Sequence, residues 1–474
     1  MRFSPALIAY TLVALLGAIA QAPQAANAAP LSTTARRRRT VTKTVFVTKT
    51  LTPSIFATSA PATVTGAAAK PKPTPSQGLA TRTATTSSAV PTPTAMPSPP
   101  PAGKKLIAYL TSWSQYRTPA YGPLDLPVEQ LTHVNYAFAN IVDGKVAVGD
   151  PWGDTDKQNV VNGVTFQGNF GLLNDPRSPV RQRNPNLRVL ISIGGWSWSK
   201  YFSVVARTPA SRAIFVASVV DFVRRYRFDG VDYDWEYPGA EGNDGNIIDS
   251  SDPTNFTLLL AETKAALAAL AAIQGRAEPY LLTIATGAVP SKFSQLDGTS
   301  IARSVDWVNV MTYDFYGSWS PVTGHHGNVP DSLTAINGHI NMGIPASKLC
   351  LGVPFYARGF ANVQFDRTNP AAAGRAYIGL APGPNEADIL EFDAYRAQVA
   401  NGQLTRVFDS LTGQAAMFNV GTKIWWSGED EQTARAKGEL VAQRGLAGAF
   451  WWEQSMDREA RLVGAVSAGM ATPA

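Results

Sequence analysis

The feature that most constrains the fold of this chain is a run of alternating acidic and aromatic residues: Asp232, Tyr233, Asp234, Trp235 and Glu236. In a β-strand, side chains alternate between the two faces, so the three acids would share one face and the aromatic residues the other. Each carboxylate disfavours the ionisation of its neighbours, so at least one pKa should be raised. The run therefore predicts a strand that keeps a carboxyl group protonated near neutral pH, a property of catalytic sites.

The alternative is a solvated edge strand whose acids are incidental. Edge strands are usually kept short, charged or covered, because an apolar exposed edge pairs with other chains. Phe228, Val231 and Trp235 make this segment too apolar for an exposed edge. We therefore favour an internal strand.

From about residue 104 onward the sequence indicates an α/β fold. Short apolar strands alternate with helical stretches, the clearest being 212–225 and 257–272, which is typical of βα units and a parallel sheet. Eight strands within about 350 residues fit a (β/α)8 TIM barrel over 103–466, with the acidic run at the carboxyl end of strand four, where barrel enzymes work. The long gap between strands seven and eight predicts a small α+β insertion domain at 359–422. The predicted strands are 106–110, 133–138, 189–193, 230–235, 280–285, 307–312, 349–355 and 446–452.

The amino-terminal part of the chain differs in composition from the barrel. Residues 1–28 combine Arg2, an apolar run and small residues at 26–28, the pattern of a secretory signal peptide. Residues 29–102 are rich in Thr, Ser, Pro and Ala, and we expect a disordered stalk suited to O-glycosylation. The four arginines at 36–39 are either a solvated basic run or a processing site. We predict a secreted protein, extracellular or associated with a cell wall.

The charge of the barrel region differs in sign from that of the whole chain. The net charge of the chain is +6, but residues 1–102 hold ten basic and no acidic residues, which leaves 31 basic and 35 acidic residues beyond them. A mildly acidic barrel gives no support for nucleic-acid binding. After the signal peptide we expect no segment that approaches a transmembrane helix, and no lipid-anchor tail. We therefore expect a monomer without a membrane anchor.

The stretch 228–239 reads Phe-Asp-Gly-Val-Asp-Tyr-Asp-Trp-Glu-Tyr-Pro-Gly and resembles the signature of glycoside hydrolase family 18, the chitinases. The resemblance covers about 104–457 and implies the chitinase subgroup with a small α+β domain inserted between strands seven and eight. Further motifs follow in barrel order: Ser192-Ile193-Gly194-Gly195, Met311-Thr312-Tyr313-Asp314, Gly352-Val353-Pro354-Phe355-Tyr356-Ala357-Arg358 and Phe450-Trp451-Trp452-Glu453.

Hydrolysis of a glycosidic bond usually needs two carboxylates on opposite sides of the sugar. Asp234 and Glu236 sit side by side on one strand, so the 2-acetamido group of N-acetylglucosamine would act as the nucleophile instead. In this substrate-assisted reaction Glu236 protonates the leaving oxygen and then deprotonates water. Asp234 orients the acetamido N–H, and Asp232 shares a proton with Asp234. The expected outcome is retention of configuration.

The resemblance also implies roles for residues on other strands. Tyr313 would donate a hydrogen bond to the acetamido carbonyl, and Asp314 would form a hydrogen bond with the sugar. Ser192 would donate to the inner carboxylate, and the ring of Trp452 would form the base of the −1 subsite. Sugar rings stack on aromatic faces, so tryptophans after strand ends are subsite candidates. The remaining substrate-binding candidates are Tyr109, Phe138, Trp113, Trp196, Tyr237, Met311, Trp319, Tyr356 and Arg358, with Trp319 favoured for a plus-side subsite.

Other reactive residue types indicate little further chemistry. The histidines form no metal-binding constellation, because the adjacent pair His325-His326 is poorly placed to chelate one ion. We predict no metal and no cofactor. Cys350 is the single cysteine, so no intramolecular disulfide can form, and we expect it to be buried. Asn255 begins a glycosylation sequon that can carry an N-glycan.

The leading hypothesis is a secreted chitinase with chitin and chito-oligosaccharides as its partners. An endo-N-acetylglucosaminidase that acts on N-glycan cores would use the same mechanism, but the motif at 311–314 and the insertion at 359–422 favour a chitinase. A chitin-binding lectin on the same barrel would be expected to lack the acid. Glu236, Asp234 and Tyr313 are all present, which favours an enzyme.

Overall fold

The computed structural model of the protein describes residues 100–472. The predicted signal peptide at 1–28 lies outside the described residues, and so does almost all of the stalk predicted for 29–102.

The described part of the chain contains sixteen strands and twelve α-helices. The strands are β1 Lys105–Thr111, β2 His133–Val142, β3 Lys145–Ala147, β4 Gln158–Val161, β5 Val164–Gln167, β6 Arg188–Gly194, β7 Gly230–Asp234, β8 Leu281–Gly287, β9 Trp307–Met311, β10 Leu349–Pro354, β11 Tyr356–Phe360, β12 Ile389–Glu391, β13 Thr405–Asp409, β14 Gln414–Asn419, β15 Ile424–Gly428 and β16 Gly448–Trp452. The helices are α1 Gly168–Asn174, α2 Pro179–Arg183, α3 Gly195–Trp198, α4 Phe202–Ala206, α5 Pro209–Tyr226, α6 Asp252–Ile273, α7 Pro290–Phe293, α8 Gly298–Ser304, α9 Val329–Asn341, α10 Phe392–Ala400, α11 Glu431–Gln443 and α12 Arg461–Met470.

Eight parallel strands close into a barrel in the order β1-β2-β6-β7-β8-β9-β10-β16, and β16 pairs with β1 again. The predicted α/β TIM-barrel fold is confirmed. The register places Ser192 of β6 and Thr283 of β8 directly beside Asp232 of β7. Because side chains alternate along a strand, all three then share the barrel interior. Strand β7 ends at Asp234, so Glu236 lies in the segment that leaves the strand at the barrel mouth.

Helix α5 shows how local sequence sets the outer layer. Thr208 precedes it and accepts a hydrogen bond from the backbone N–H of Ser211, which satisfies one of the unpaired donors of the first turn. Arg227 follows it in the left-handed conformation, with φ of 59°, and ends the helix. Phe215 and Val219 lie on one face and are fully buried. This face packs against the strands of the barrel.

Helix α6 corrects one sequence-based expectation. By length and composition it is apolar enough to cross a membrane, with a hydropathy of 1.7, whereas we expected no such segment after the signal peptide. In the structure, Phe256, Leu259 and Leu267 of this helix belong to the same buried core as the barrel strands. The apolar character of α6 therefore serves barrel packing in this fold.

A five-stranded antiparallel sheet, ordered β12-β11-β15-β14-β13, separates β10 from β16 and carries α10. It extends from Tyr356 to Gly428 and is wider at both ends than the range 359–422. The reason is that Phe355 alone separates β10 from β11, so the chain enters the small sheet directly from the barrel.

Several large aromatic side chains and the single thiol are buried. Trp235 and Trp307 are buried in the barrel, and Trp425 and Trp426 are buried as well. Cys350 is fully buried, and burial raises the pKa of its thiol to about 12.

The glycosylation sequon lies in the first turn of α6. Asn255 is buried, and its Nδ2 donates to Ser251 Oγ at 2.9 Å. Nδ2 is also the atom to which an N-glycan is attached. Glycosylation of the folded protein would therefore have to break this hydrogen bond and expose the side chain.

A buried ion pair joins the small sheet to helix α11. Lys437 of α11 donates to Glu429, which follows β15, and both side chains are fully buried. Gln414 of β14 donates to the same Glu429 oxygen at 2.8 Å. Removing one partner of such a pair leaves an uncompensated charge in the interior.

We expect Lys437→Met to lower the free energy of unfolding by about 3–5 kcal/mol, because Glu429 loses its buried counter-ion. The double variant Lys437→Met with Glu429→Gln should recover at least half of that loss, since the amide is neutral and its oxygen still accepts from Gln414. Chemical unfolding followed by tryptophan fluorescence measures both. Arg435→Met is the control, because Arg435 has an exposed ion pair on the same helix and should cost at most about 1 kcal/mol. Equal losses for Lys437→Met and Arg435→Met would contradict this interpretation.

Candidate active site

Asp232 lies at the centre of the barrel and is fully buried. Tyr109 donates to its Oδ2 at 2.7 Å and Ser192 to the same oxygen at 2.8 Å. Thr283 donates to Oδ1 at 2.5 Å, and Asn309 Nδ2 lies 3.4 Å from Oδ1. Burial raises the pKa of Asp232, and these four donors oppose that rise by stabilising the carboxylate. Four surrounding donors favour an ionised carboxylate, which accepts hydrogen bonds and donates none.

Asp234 and Glu236 lie above Asp232 and are also buried. Burial, followed by the charges of Glu236 and Asp232, raises the pKa of Asp234 well above its usual value. Burial likewise raises the pKa of Glu236 to about 7; the Tyr237 hydroxyl opposes this rise, and the charge of Asp314 adds to it. Within residues 100–472, Asp234 Oδ1 is buried without a hydrogen-bond partner. The outer two carboxyl groups therefore hold at least one proton near neutral pH and leave one acceptor free.

The backbone of Glu236 is fixed from two sides. Ser199 Oγ accepts from its N–H at 2.8 Å, and Asn246 Nδ2 donates to its carbonyl oxygen at 2.9 Å. Ser199 also donates to the carbonyl of Asp234 at 3.1 Å. These contacts set the direction of the Glu236 side chain, although it has left the regular strand.

Asp314 lies at the mouth of the barrel, after β9, and is held by the first residues of the small sheet. Arg358 donates to both of its oxygens at 2.8 Å, and the Tyr356 hydroxyl donates to Oδ1 at 2.7 Å. Burial alone would raise the pKa of Asp314, but the charge of Arg358 holds it far below its usual value. Arg358 also contacts Asp388 at 3.0 Å. Asp314 is thus a fixed anion beside Glu236, about one third exposed to solvent.

Aromatic rings form the base of the cleft. Trp452, at the end of β16, stacks on Phe138 with centroids 5.6 Å apart and planes 20° apart. Tyr109 lies 5.8 Å from Trp452. Trp113 lies 6.1 Å from Trp452 and is partly exposed. Half-buried Trp452 therefore presents a ring to the cleft, supported from below.

Several predicted substrate-binding residues lie beneath the cleft surface. Tyr109 is 1% exposed, and Phe138, Ser192 and Tyr356 are also buried. Tyr109 and Phe138 were candidates for substrate contact, whereas in the structure both rings are buried, Tyr109 against Asp232 and Phe138 against Trp452. They support other residues of the cleft: Tyr109 donates to Asp232, and Phe138 stacks on Trp452.

The remaining predicted residues lie at or near the cleft. Met311, Tyr313 and Tyr237 are half-buried. Burial and the charges of Asp234 and Asp314 raise the pKa of Tyr313 well above its usual value, so its hydroxyl stays a donor. The rings of Trp196 and Trp319 are exposed. Arg358 lies 5.0 Å from the ring centroid of Trp319 and links it to the Asp314 group.

Sequence reasoning missed two hydrogen-bond donors to Asp232. Thr283 and Asn309 are polar residues in largely apolar strands, and the side chains of both reach Asp232. Side-chain alternation along the predicted strands 280–285 and 307–312 could have identified them, because every second residue of a strand faces the barrel interior. Because Asp232 is expected inside the barrel, its hydrogen-bond donors have to be inward-facing residues on the strands around it.

Sequence reasoning also missed an exposed aromatic pair. Tyr116 and Trp152 stack with centroids 6.0 Å apart. Tyr116 lies in the same 3-10 turn, Ser112–Tyr116, as Trp113, and residues three apart in such a turn share one face. Buried Asp154 fixes the segment that carries Trp152, because it accepts from Tyr136 at 2.5 Å. We call Trp452, Trp113, Tyr116 and Trp152 the aromatic row.

No group of three or more His, Cys, Asp or Glu side chains within residues 100–472 has a geometry that could hold a metal ion. His325 and His326 are both buried, and their rings point in different directions: His325 toward Trp425 and His326 toward Tyr356. The functional groups gathered at the barrel mouth are carboxyl groups, hydroxyl groups and aromatic rings.

Comparison with known proteins gives consistent matches. Residues 105–457 match the family described as Glycosyl hydrolases family 18. The chain is 35% identical over 423 residues to chitinase A1 of Niallia circulans, which covers 78% of this chain and 58% of that relative. The chain thus spans less than two thirds of that relative's length.

Two solved structures resemble the barrel. The catalytic domain of psychrophilic chitinase B from Arthrobacter TAD20 has a TM-score of 0.69 and 29% identity, and the match covers 78% of this chain and 95% of that one. A mutant class V chitinase from Nicotiana tobaccum, in complex with NAG4, has a TM-score of 0.65 and 26% identity over 78% of this chain and 99% of that one. With Asp232 and Asp234 on β7, Glu236 directly after it and the match over 105–457, the chain belongs to glycosyl hydrolases family 18.

Proposed function

We propose that the protein is a secreted chitinase that hydrolyses β-1,4 bonds between N-acetylglucosamine units by substrate-assisted catalysis with retention of configuration. The names of its relatives support the substrate class. The geometry along β7 supports the mechanism. The proposal assigns the reacting roles to Glu236, Asp234 and Tyr313.

The observation that carries the proposal is the free acceptor on Asp234. Its buried Oδ1 is without a hydrogen-bond partner among residues 100–472. A buried polar atom left unpaired costs about 1–3 kcal/mol, which a ligand donor can recover. The acetamido N–H of N-acetylglucosamine is such a donor. Glucose has a hydroxyl group at that position, which can also donate but has no carbonyl oxygen to attack C1. The free acceptor together with the substrate-assisted mechanism therefore favours chitin over cellulose-like polymers.

Asp234 positions the acetamido group, and Glu236 acts first as the acid and then as the base. Asp234 accepts the acetamido N–H and turns the acetamido carbonyl oxygen toward C1, which it attacks as the glycosidic C–O bond breaks. Glu236 gives its proton to the departing oxygen, then takes one from the water that opens the oxazolinium intermediate. Tyr313 donates to the acetamido oxygen. Two displacements at C1 leave the configuration unchanged.

The aromatic row supports a polymeric substrate. Its rings run from Trp452, beside the reacting carboxyl groups, to Trp152, whose side chain is 53% exposed. Flat rings stack on the C–H faces of successive sugars. A site for a single short oligosaccharide would not need exposed rings so far along the surface.

We further propose that the protein acts outside the cell. The support is the signal-peptide pattern at 1–28. Amino-terminal sequencing of protein recovered from the culture medium tests this: a start at or after residue 29 agrees with removal of the signal peptide, and retention of Met1 inside the cell contradicts it.

We expect Glu236→Gln to lower kcat on chitohexaose by roughly 10²- to 10⁴-fold, because the general acid is lost. Binding of chitohexaose, measured by calorimetry, should persist. Wild-type products analysed by NMR immediately after cleavage should be β-anomers. Release of glycans from a high-mannose glycopeptide instead would move the assignment to the glycan-core enzyme. Binding without cleavage by the wild type would make the protein a lectin and overturn the proposal.

A second prediction concerns pH. Glu236 must be protonated to act as the acid, so kcat/KM should fall as pH rises through about 7, the raised pKa of Glu236. The Tyr237 hydroxyl lowers that pKa. Tyr237→Phe should therefore move the alkaline limb of the kcat/KM profile to higher pH. An unmoved limb, or one moved to lower pH, would show that the limb belongs to another group.

A third prediction compares hydrolysis of the polymer with hydrolysis of a short oligomer. Trp152→Ala should slow hydrolysis of insoluble chitin by roughly 2- to 12-fold, because one stacking contact is lost. Hydrolysis of chitotriose, which is too short to reach this ring, should be unchanged. Val160→Ala is the matched control, an exposed apolar residue of the nearby hairpin β4–β5 that lies outside the row. Equal effects of Trp152→Ala on both substrates would exclude a polymer-binding role.

A further inference from the structure

His326 is fully buried beside Asp314, and both of its ring nitrogens face oxygen atoms. Nε2 lies 3.2 Å from the backbone carbonyl oxygen of Tyr356. Nδ1 lies 3.4 Å from Asp314 Oδ1. The backbone of His326 is fixed as well, because its N–H donates to Ser427 Oγ and its carbonyl accepts from the N–H of Phe315. The ring cannot turn away from either oxygen without moving two elements.

A neutral imidazole has one N–H and can serve only one of two acceptors. The carbonyl of Tyr356 always needs a donor, so the neutral ring places its hydrogen on Nε2. The lone pair of Nδ1 then points at Asp314 Oδ1. In agreement, Nδ1 is without a hydrogen-bond partner among residues 100–472. Only the imidazolium form donates to both oxygens.

The two oxygens of Asp314 are not equivalent. Oδ1 already accepts from Tyr356 and Arg358, whereas Oδ2 accepts only from Arg358. Oδ2 can therefore accept a further hydrogen bond, from a ligand in the cleft. The backbone of Asp314 adopts a left-handed conformation with φ of 59°, which is uncommon for residues other than glycine. Side-chain contacts have to hold this residue in place.

We propose that His326 is a positioning residue for Asp314: neutral, it leaves Oδ2 a strong acceptor for substrate, and protonated, it donates to Oδ1 and weakens that acceptor. The link to substrate rests on the proposed function, whereas the link between His326 and Asp314 does not. The consequence is a substrate affinity that falls in acid through a residue that contacts no sugar.

The charged groups around the His326 ring determine the pH at which the ring takes up its second proton. Burial, the largest cause, lowers the pKa of His326, and Arg358 lowers it further, while Asp314 and Glu429 raise it. His325 precedes the ring in the chain, and burial lowers the pKa of His325 to about 4. His326 is therefore neutral at pH 7 and takes up its proton below the usual histidine range.

Ring NMR of protein labelled with ¹⁵N-histidine tests the structural half. The chain has four histidines, so the spectrum holds four ring systems, and His326→Gln identifies the one of interest. We expect an Nε2–H tautomer at pH 7.5 and a titration below pH 6.5. Asp314→Asn should lower that titration point, because the favourable negative charge is lost. An Nδ1–H tautomer, or a titration point that is the same in Asp314→Asn as in the wild type, would overturn the proposal.

Kinetics on chitohexaose tests the functional half. For the wild type, KM should rise roughly fivefold as the pH falls through the titration point that NMR gives for His326, with a smaller change in kcat. The Gln side chain of His326→Gln still donates to the Tyr356 carbonyl and does not titrate, so the KM of this variant should not change with pH.

His339→Gln is the control, since His339 is a buried histidine of α9 that contacts the Ala335 carbonyl, and its KM should change with pH as in the wild type. A wild-type pH dependence of KM in His326→Gln would overturn the proposal. NMR as expected, with no turnover at any pH, would overturn the proposed function alone.

Discussion

Asp232 places a carboxyl group inside the barrel, and its oxygens accept hydrogen bonds from side chains on four different strands: β1, β6, β8 and β9. A buried charge without such donors would cost several kcal/mol. The strands can supply them only in one register, because a slip of one residue turns every side chain to the opposite face. The carboxylate at the centre and the pairing of the strands around it therefore depend on each other.

The same carboxylate determines how protons are distributed above it. Burial raises the pKa of Asp232 although its four donors oppose that rise, and the charge of Asp232 helps to raise the pKa of Asp234 well above its usual value. Glu236 lies further out, where burial raises its pKa to about 7. The pKa values of all three carboxyl groups are therefore raised, chiefly by burial. The outermost group is the one that exchanges protons with substrate and water in the proposed reaction.

A second anion is built at the mouth by another part of the chain. Asp314 follows β9, but Arg358 and Tyr356, which hold it, belong to the small sheet inserted after β10. The buried pair of Glu429 and Lys437 ties the far side of that sheet to α11. The insertion therefore does more than border the cleft, because it fixes the charge and orientation of a residue on the barrel itself.

The sequence allowed the barrel, the position of its strands and the shared face of Asp232, Asp234 and Glu236 to be predicted, because all depend on short-range periodicity. It did not reveal the aromatic partner of Tyr116, because Trp152 lies in an irregular segment whose position depends on the buried contact of Asp154 with Tyr136. Nor did it show that Tyr109 lies behind the cleft, since an aromatic residue at a strand end can face substrate or a neighbouring carboxylate. Such distinctions depend on tertiary packing and not on local pattern.

Cys350 is the single cysteine of the chain and lies in the interior with no partner sulfur. Its thiol is inaccessible, and its high pKa keeps the reactive thiolate scarce. No covalent cross-link forms or breaks when the ambient thiol–disulfide potential changes. The folded barrel therefore holds together without any bond that a reducing medium could break.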